Sequence, residues 1–218
     1  MLVIKNLAAK IKDRYTGERT GHDWFHIERV WEMARYIGKK ETTPERPVNM
    51  FIVEAASLLH EIGDFKLEED DKNNPNKIRK ILAEFKASPS TTNAIKNIVH
   101  NVSFKGARTP SEMKTIEGQI VQDADRLDAM GAIGIARAFT YGGSKKRPLY
   151  DSNIKPYLHK NFAEYKRIQS TTINHFYEKL LFLKDRLHTK TAKRIAKKRH
   201  AFMKLFLKRF FEEWQVKK

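Results

Sequence analysis

Histidine and carboxylate side chains concentrate in three short stretches of the chain: GHDWFHIERV (21–30), LLHEIGDFK (58–66) and QDADRLDAMGA (122–132). Each stretch lies on or at the start of a predicted helix, and each mixes its polar residues with apolar ones. A buried carboxylate beside an imidazole is costly unless charges or hydrogen bonds compensate, and a divalent cation is one efficient compensator. The pattern therefore predicts a metal site made of nitrogen and oxygen ligands.

Two of these stretches place polar residues where the helical pattern expects core. His60 and Glu61 follow a strongly apolar run, and the acids at 123, 125 and 128 stand among apolar residues. A single buried histidine is usually a hydrogen-bonded core residue, and an acid near a helix start is usually a cap. Three clusters with the same ligand chemistry in one chain favour metal binding over these structural explanations.

Composition restricts the chemistry further. The chain has 218 residues and no cysteine, so disulfides and thiolate ligands are excluded and a metal site must use His, Asp and Glu. No stretch approaches the roughly 20 apolar residues of a membrane span, and the N-terminus lacks the pattern of a signal peptide. We therefore expect a cytoplasmic protein that does not interact with membranes.

The net charge of +17 favours anionic partners, which include nucleic acid, an acidic membrane surface and phosphorylated small molecules. Basic residues are densest after Arg186, in the last predicted helix. We interpret this density mainly as a solvated helix face. Because the sequence shows no zinc finger, aromatic RNA-binding strand or helix-turn-helix, nucleic acid is not the favoured partner.

Helical periodicity runs along nearly the whole chain, and alternating β-type patterns are missing, which predicts an all-α fold. Ser88 before Pro89 is typical of a helix start, as is Thr43 before Pro44. The glycines and prolines of 140–156 predict a loop, and no composition shift marks a linker, so we expect a single domain over 1–218. The predicted helices cover about 2–14, 23–39, 45–61, 75–86, 90–101, 112–139, 157–184 and 189–214.

The order of a histidine, an adjacent histidine-acid pair and a distant Asp in A-D-x-L resembles the HD superfamily of metal-dependent phosphohydrolases. The longer motifs HDWFHIERV, LLHEIGDFK, VSFKG, QDADRLDAMGAIGIAR and FTYGG look like the small, stand-alone bacterial and archaeal HD hydrolases over most of the chain. The resemblance implies an orthogonal helical bundle with its core motifs in about 20–140 and C-terminal helices over 157–214 packed on them. It also implies a bound divalent metal and action on nucleotides, including removal of pyrophosphate from nucleoside triphosphates.

Carried over residue by residue, the resemblance makes His26 the first metal ligand, because it stands in H-x-x-R-V. It makes His60 and Glu61 the ligand pair and Asp125, in A-D-R-L, the final ligand, with Asp123 as the second choice. The implied metal is Mn or Mg, while Fe, Co, Ni and Zn also suit a site without thiolates.

Other residues near these motifs are expected to serve catalysis or substrate binding. Asp64 looks like the family's additional acid, although Gly63 could end the helix and leave Asp64 as a turn residue. We expect His22 and Asp64 to orient water or carry a proton, and the predicted substrate contacts are Asp23, Lys66, Lys105 and Arg126. The glycines at 142 and 143 are either part of a lid over a triphosphate or part of a surface loop.

The chain departs from the family at one position, because the usual His-Asp pair is His-Glu at 60 and 61. The additional methylene moves the carboxylate by about 1.5 Å, and a placement error near 1 Å can cost about 100-fold in rate. Metal occupancy and activity therefore depend on where the fold places the Glu61 carboxylate.

The resulting hypothesis is a metal-dependent phosphohydrolase that uses a metal-activated water to release pyrophosphate from nucleoside triphosphates. Two alternatives stay open: a nucleotide monophosphatase or cyclic-nucleotide phosphodiesterase with the same site, and a nucleic-acid-binding protein with a degraded site. The expected partner is a nucleotide or another phosphorylated small molecule. A homodimer is possible, because homodimers are the commonest assembly of soluble proteins, but the sequence leaves the oligomeric state open.

Overall fold

The computed structural model describes residues 2–18, 21–62, 76–103, 113–158 and 170–216. Within these ranges the chain is helical and has no β-strand, which confirms the predicted all-α class. The α-helices are α1 (Leu2–Arg14), α2 (Trp24–Glu41), α3 (Met50–Leu59), α4 (Asn76–Glu84), α5 (Pro89–Val102), α6 (Ile116–Asp128), α7 (Gly131–Ser144), α8 (Thr172–Glu178) and α9 (Lys190–Trp214). A 3-10 helix covers Leu180–Arg186, between α8 and α9. No helix in the described ranges is both long enough and apolar enough to cross a membrane.

The described residues fall into two compact units. The first contains the described residues up to 125, and the second contains the described residues from 126 onward. Helix α6 contributes residues up to Asp125 to the first unit and its last turn to the second. The single-domain organisation over 1–218 stays a prediction.

Helix α3 is central to the first unit, where it packs against α1, α2 and α5. Its sequence, MFIVEAASLL, is apolar on nearly every face, and its second half is buried, including Leu58 and Leu59. A helix that is apolar all round requires neighbours on several sides. Burial of α3 therefore fixes the position of the residues that follow it, which are His60 and Glu61.

Helix α3 begins later than the predicted start at 45. Pro47 disfavours a helical conformation for the residue before it, and Thr43 and Arg46 instead exchange backbone hydrogen bonds in a turn. The helix starts after Asn49, whose side chain accepts a hydrogen bond from the Ile52 N–H. The predicted cap at Thr43 is therefore wrong. The cap at Ser88 is confirmed, because its side chain accepts from the Thr91 N–H and Pro89 occupies the first turn of α5.

The predicted helix over 112–139 is two helices. Helix α6 ends at Asp128, and Gly131 begins α7 with a φ of +72°. Glycine adopts this left-handed conformation without the steric cost that a side chain imposes. Helix α7 then continues to Ser144, so the glycines at 142 and 143 are helical and the predicted loop over 140–156 starts later.

In its described parts, the predicted helix over 157–184 is confirmed only for its second half. Residues 157, 158, 170 and 171 are not helical, whereas α8 covers Thr172–Glu178 and the 3-10 helix covers Leu180–Arg186. Side-chain bonds hold the irregular backbone before α8: buried Glu178 accepts from the Tyr157 N–H at 3.1 Å, and the Asn174 amide donates to the Ile154 carbonyl at 2.7 Å. The last predicted helix, 189–214, matches α9 closely.

Three phenylalanine rings pack together in the second unit, where α9 packs against α7 and the 3-10 helix. The Phe206 ring stacks on Phe176 with centroids 5.7 Å apart and meets the edge of Phe139 at 5.9 Å. Met203 and Leu207 of α9 are buried beside them. Helix α9 is therefore held by one apolar stripe, and its basic residues lie mainly outside that stripe.

The two adjacent glycines of α7 provide a test of this packing. A Cβ at Gly142 would lie 2.2 Å from Thr172 Oγ1, whereas a Cβ at Gly143 would meet no atom within 4 Å. We predict that Gly142→Ala lowers the free energy of unfolding by about 1–3 kcal/mol through overpacking. Gly143→Ala should raise it by about 0.5–1 kcal/mol, because alanine has the higher helix propensity. Thermal unfolding measures both variants, and equal effects would contradict the described packing.

Candidate metal centre

The Glu61 carboxylate gathers three imidazoles around one oxygen atom. Glu61 Oε1 lies 2.9 Å from His22 Nδ1, 3.0 Å from His26 Nε2 and 3.5 Å from His60 Nε2. Glu61 is 3% exposed, His60 is 4% exposed and His26 is fully buried. The fold therefore places a carboxylate and imidazole nitrogens together in an environment that excludes most water.

Asp125 of α6 completes the cluster. Its Oδ1 lies 3.7 Å from His26 Nε2 and 4.0 Å from His60 Nε2, and the two Nε2 atoms are 3.1 Å apart. The Asp125 side chain is 28% exposed, more than any other member of the cluster. Asp125 is thus the cluster residue that solvent reaches most.

The end of α3 fixes the orientation of His60. The helix ends at Leu59 and His60 is its C-cap residue, with Nδ1 2.6 Å from the Ser57 carbonyl oxygen. A carbonyl only accepts hydrogen bonds, so His60 Nδ1 must carry the hydrogen and Nε2 faces the cluster. Metal-binding histidines in proteins have this second hydrogen bond as a rule. The contribution of Ser57 was not predicted from the sequence, where its only signal is a position three residues before His60.

The start of α2 fixes His26. Asp23 is the N-cap residue, and its Oδ1 accepts a hydrogen bond from the His26 N–H at 2.9 Å. This bond satisfies one of the amide groups that a helix leaves unpaired in its first turn. Asp23 therefore positions a cluster residue, and its predicted contact with substrate stays a prediction.

Burial and charge oppose each other at this site. Burial lowers the pKa of His60, but the hydrogen bond to Glu61, the charges of Glu61 and Asp125 and the Ser57 bond outweigh it and raise the pKa to about 9. Burial raises the pKa of Glu61, but the charge of His22 and the hydrogen bonds from the three histidines hold it well below its ordinary value. At neutral pH the metal-free cluster therefore holds an ionised Glu61 beside a protonated His60.

These residues fit a divalent cation. Glu61 Oε2 is buried and has no hydrogen-bond partner among the described residues, and such an atom costs about 1–3 kcal/mol unless another group satisfies it. Two adjacent ligand atoms bound at about 2.1 Å to one ion are about 3.0–3.4 Å from each other. The observed distances are close to this range: 3.0 Å from Glu61 Oε1 to His26 Nε2, and 3.1 Å between the Nε2 atoms of His26 and His60. The donors are the nitrogens and oxygens that the cysteine-free sequence predicts.

The structure brings together five of the predicted site residues: His22, His26, His60, Glu61 and Asp125. Within the described parts of the chain, Asp125 belongs to a group with ligand spacing, whereas Asp123 is fully buried and belongs to none. The guanidinium of Arg126 donates to the Arg186 carbonyl, and its Nη1 lies 3.4 Å from His188 Nε2.

The remaining predicted site residues, Asp64, Lys66 and Lys105, lie outside the described residues. Because α3 ends at Leu59, the helical spacing that suggested a shared face for Glu61 and Asp64 does not apply. The roles of these residues stay predictions.

Comparison with known proteins agrees with this arrangement. Residues 24–130 match the HD domain family, and these residues include His26, His60, Glu61 and Asp125. Over 194 residues the chain is 38% identical to the Bacillus subtilis protein YpgQ, covering 88% of this chain and 84% of YpgQ. The chain belongs to the HD domain family, whose members bind divalent metals.

Solved structures show the same relationship. A Lactobacillus plantarum protein has a TM-score of 0.87 and 32% identity, covering 99% of this chain and 98% of that one. A Bacillus thuringiensis HD-superfamily hydrolase has a TM-score of 0.73 and 36% identity, with coverage of 98% and 97%. YpgQ crystallised in complex with ADP has a TM-score of 0.72 and 35% identity, with coverage of 94% and 96%. The chain is thus an HD-superfamily hydrolase by family.

Variants of Asp125 and Asp123 test metal binding and stability separately. We predict that Asp125→Asn weakens Mn²⁺ binding by more than the roughly 10- to 100-fold that the loss of a supporting residue costs. Asp123→Asn should lower the unfolding temperature, because Asp123 is fully buried, while leaving Mn²⁺ affinity close to that of the wild type. Calorimetric titration of the folded variants measures both affinities. Equal losses would show that Asp123 also holds the metal.

The raised pKa of His60 predicts how metal binding depends on pH. A cation at the cluster must displace the proton that His60 holds below about pH 9 in the metal-free protein. The apparent Mn²⁺ affinity should therefore rise between pH 6.5 and 8.5, by up to about tenfold per pH unit for one displaced proton. Titrations at pH 7 in buffers of different ionisation enthalpy count the released protons. Binding without proton release would contradict the described charge state.

Proposed function

We propose that this protein is a metal-dependent phosphohydrolase acting on nucleotides, and that it hydrolyses nucleoside triphosphates to monophosphates and pyrophosphate. The observation that carries the proposal is the buried cluster of three histidines with Glu61 and Asp125. Its partial exposure at Asp125 gives a substrate access to it. The donor set suits a divalent cation and includes no thiol nucleophile.

The choice of a nucleotide substrate has two supports. YpgQ, which shares the family and most of the chain length, was crystallised in complex with ADP. The net charge of +17 favours polyanionic ligands, among which a triphosphate carries more charge than a monophosphate. A panel that varies base and sugar identifies the preferred nucleotide.

When bound, a divalent cation supplies Lewis-acid polarisation of a phosphoryl oxygen and makes a water molecule more acidic. His26, His60, Glu61 and Asp125 would hold it, and the Ser57 carbonyl keeps His60 Nε2 directed at the cluster. The reaction adds the water oxygen to the α-phosphorus and breaks the bond from that phosphorus to the bridging oxygen, so pyrophosphate leaves. Asp64 is the proposed carrier of the water proton.

The His-Glu pair supports activity rather than degradation of the site. Glu61 follows the end of α3 and its Oε1 reaches the imidazoles of His22 and His26 at hydrogen-bond distance. The longer side chain is thus accommodated by the turn that carries it. This observation counts against a nucleic-acid-binding protein with a degraded site.

Product analysis tests the function. Metal-stripped protein reloaded with Mn²⁺ is incubated with a panel of ribo- and deoxyribonucleoside mono- and triphosphates and cyclic nucleotides. We expect Mn²⁺-dependent release of pyrophosphate from a triphosphate. Asp125→Asn should reduce the rate more than about 100-fold, while His100→Ala, at an exposed position of α5, serves as the matched control.

Other products would decide between the alternatives. Inorganic phosphate from a monophosphate would indicate a nucleotidase, and a ring-opened product would indicate a phosphodiesterase. Inactivity with Mn, Mg, Fe, Co, Ni and Zn would refute hydrolysis of this panel. Salt-dependent nucleic-acid binding, with a log-log slope near −0.9 per contacted phosphate on a duplex, would then favour the binding protein.

A further inference from the structure

The arrangement around Glu61 contains one imidazole more than the four-residue ligand set that the family resemblance implies. His22 Nδ1 lies 2.9 Å from Glu61 Oε1, slightly closer than His26 Nε2. The His22 and His26 rings meet edge to face, with centroids 5.7 Å apart. Atoms of His22, His26 and Glu61 with ligand chemistry all lie within 4.8 Å of one another. His22 is therefore placed like a ligand and not only like a neighbour.

The length of the Glu61 side chain accounts for this contact. An aspartate at 61 would have a side chain one carbon–carbon bond shorter, about 1.5 Å. In this chain Glu61 Oε1 lies within 3.0 Å of both His22 Nδ1 and His26 Nε2. The departure from the family's His-Asp pair and the inclusion of His22 are thus one structural feature.

We propose that His22 binds the same divalent cation as His26, His60, Glu61 and Asp125, so that the site has three imidazole and two carboxylate ligands. Glu61 brings His22 into the site through its greater length. This inference rests on the metal-binding part of the proposed function and is independent of the substrate.

Two groups of residues with ligand spacing share His26: one contains His22 and Glu61, and the other contains His60 and Asp125. One ion bound by His26 would join them. For metal–ligand bonds of about 2.1 Å, ligand atoms in an octahedral arrangement are about 3.0 Å apart when adjacent and about 4.2 Å apart when opposite. The ligand atoms that contact one another in these groups lie from 2.9 Å apart, for His22 and Glu61, to 4.0 Å apart, for His60 and Asp125. Glu61 Oε2, which is buried and has no partner in the described part of the chain, is a second and independent sign that a cation belongs beside this carboxylate.

A third imidazole has a chemical consequence. Imidazole ligands suit Fe, Co, Ni and Zn, whereas Mg prefers carboxylate, carbonyl and water oxygens. A site with three imidazoles should therefore discriminate against Mg more strongly than a site with two. His22 also acts in this proposal as a ligand and not as a proton carrier, which leaves that role to Asp64.

Counting the coordinated nitrogens tests the proposal. Pulsed electron paramagnetic resonance of the Mn²⁺-loaded protein detects the modulation from each directly bound imidazole nitrogen. We expect three nitrogens in the wild type, two in His22→Ala and two in Glu61→Asp, in which the shorter carboxylate no longer brings His22 into the site. The exposed His100→Ala variant should keep three and controls for the loss of a histidine elsewhere in the chain.

Two results would overturn the proposal: two or fewer nitrogens in the wild type, or three in Glu61→Asp. Thermal unfolding establishes that each variant is folded, and the wild-type count decides the question even if a variant is not. Mn²⁺ affinity should fall at least about tenfold in His22→Ala, and the preference for Mn²⁺ over Mg²⁺ should fall with it.

The nitrogen count also separates this inference from the proposed function. It requires no nucleotide, so three bound nitrogens in a protein that hydrolyses none of the panel would support the five-residue site and refute the activity. Pyrophosphate release by a site with two nitrogens would support the activity and refute the five-residue site.

Discussion

The cost of placing an ionised carboxylate in the helical interior governs the structure of the first unit. Glu61 is almost fully buried, and water is replaced around its Oε1 by the nitrogens of His22, His26 and His60. A charge transferred from water without such partners would cost several kcal/mol or change its protonation state. The apolar α3 therefore ends beside a partner contributed by the start of α2, the imidazole of His26.

The fold class and the ends of several helices were predictable because local rules decide them. Ser88 with Pro89 predicted the start of α5, and the amphipathic pattern of the last helix predicted α9 to within a residue or so. The errors occurred where a single residue outweighed the periodic pattern. Gly131 divides an otherwise continuous apolar pattern into α6 and α7, and Asn49 rather than Thr43 caps α3. A glycine within a helical pattern can either be tolerated inside one helix or mark the boundary between two helices, and the sequence alone did not distinguish these cases at Gly131.

The site was predictable in its residue types and only partly in its geometry. The resemblance to the family indicated His26, His60, Glu61 and Asp125, while the residue spacing left Asp123 and Asp125 as alternatives. The choice between these two aspartates depends on how α6 is rotated about its axis. In the structure, the Asp125 carboxylate lies near the Nε2 atoms of His26 and His60, whereas Asp123 is fully buried. His22 was expected near the metal, but its contact with Glu61 Oε1 could not be predicted, because it depends on how far a glutamate side chain reaches from a turn.

The hydrogen bond from His60 Nδ1 to the Ser57 carbonyl lies at the end of α3, and it also determines which nitrogen of His60 carries the hydrogen. The last carbonyls of α3 have no partner within the helix, and the histidine that satisfies one of them is thereby directed at the cluster. The number of residues between 57 and 61 is therefore constrained more strictly than their identity. A one-residue insertion or deletion in this segment would rotate His60 away by about 100°, the angular step of a helix. Divergence in this part of the chain should consequently proceed by substitution, with the length of the segment held constant.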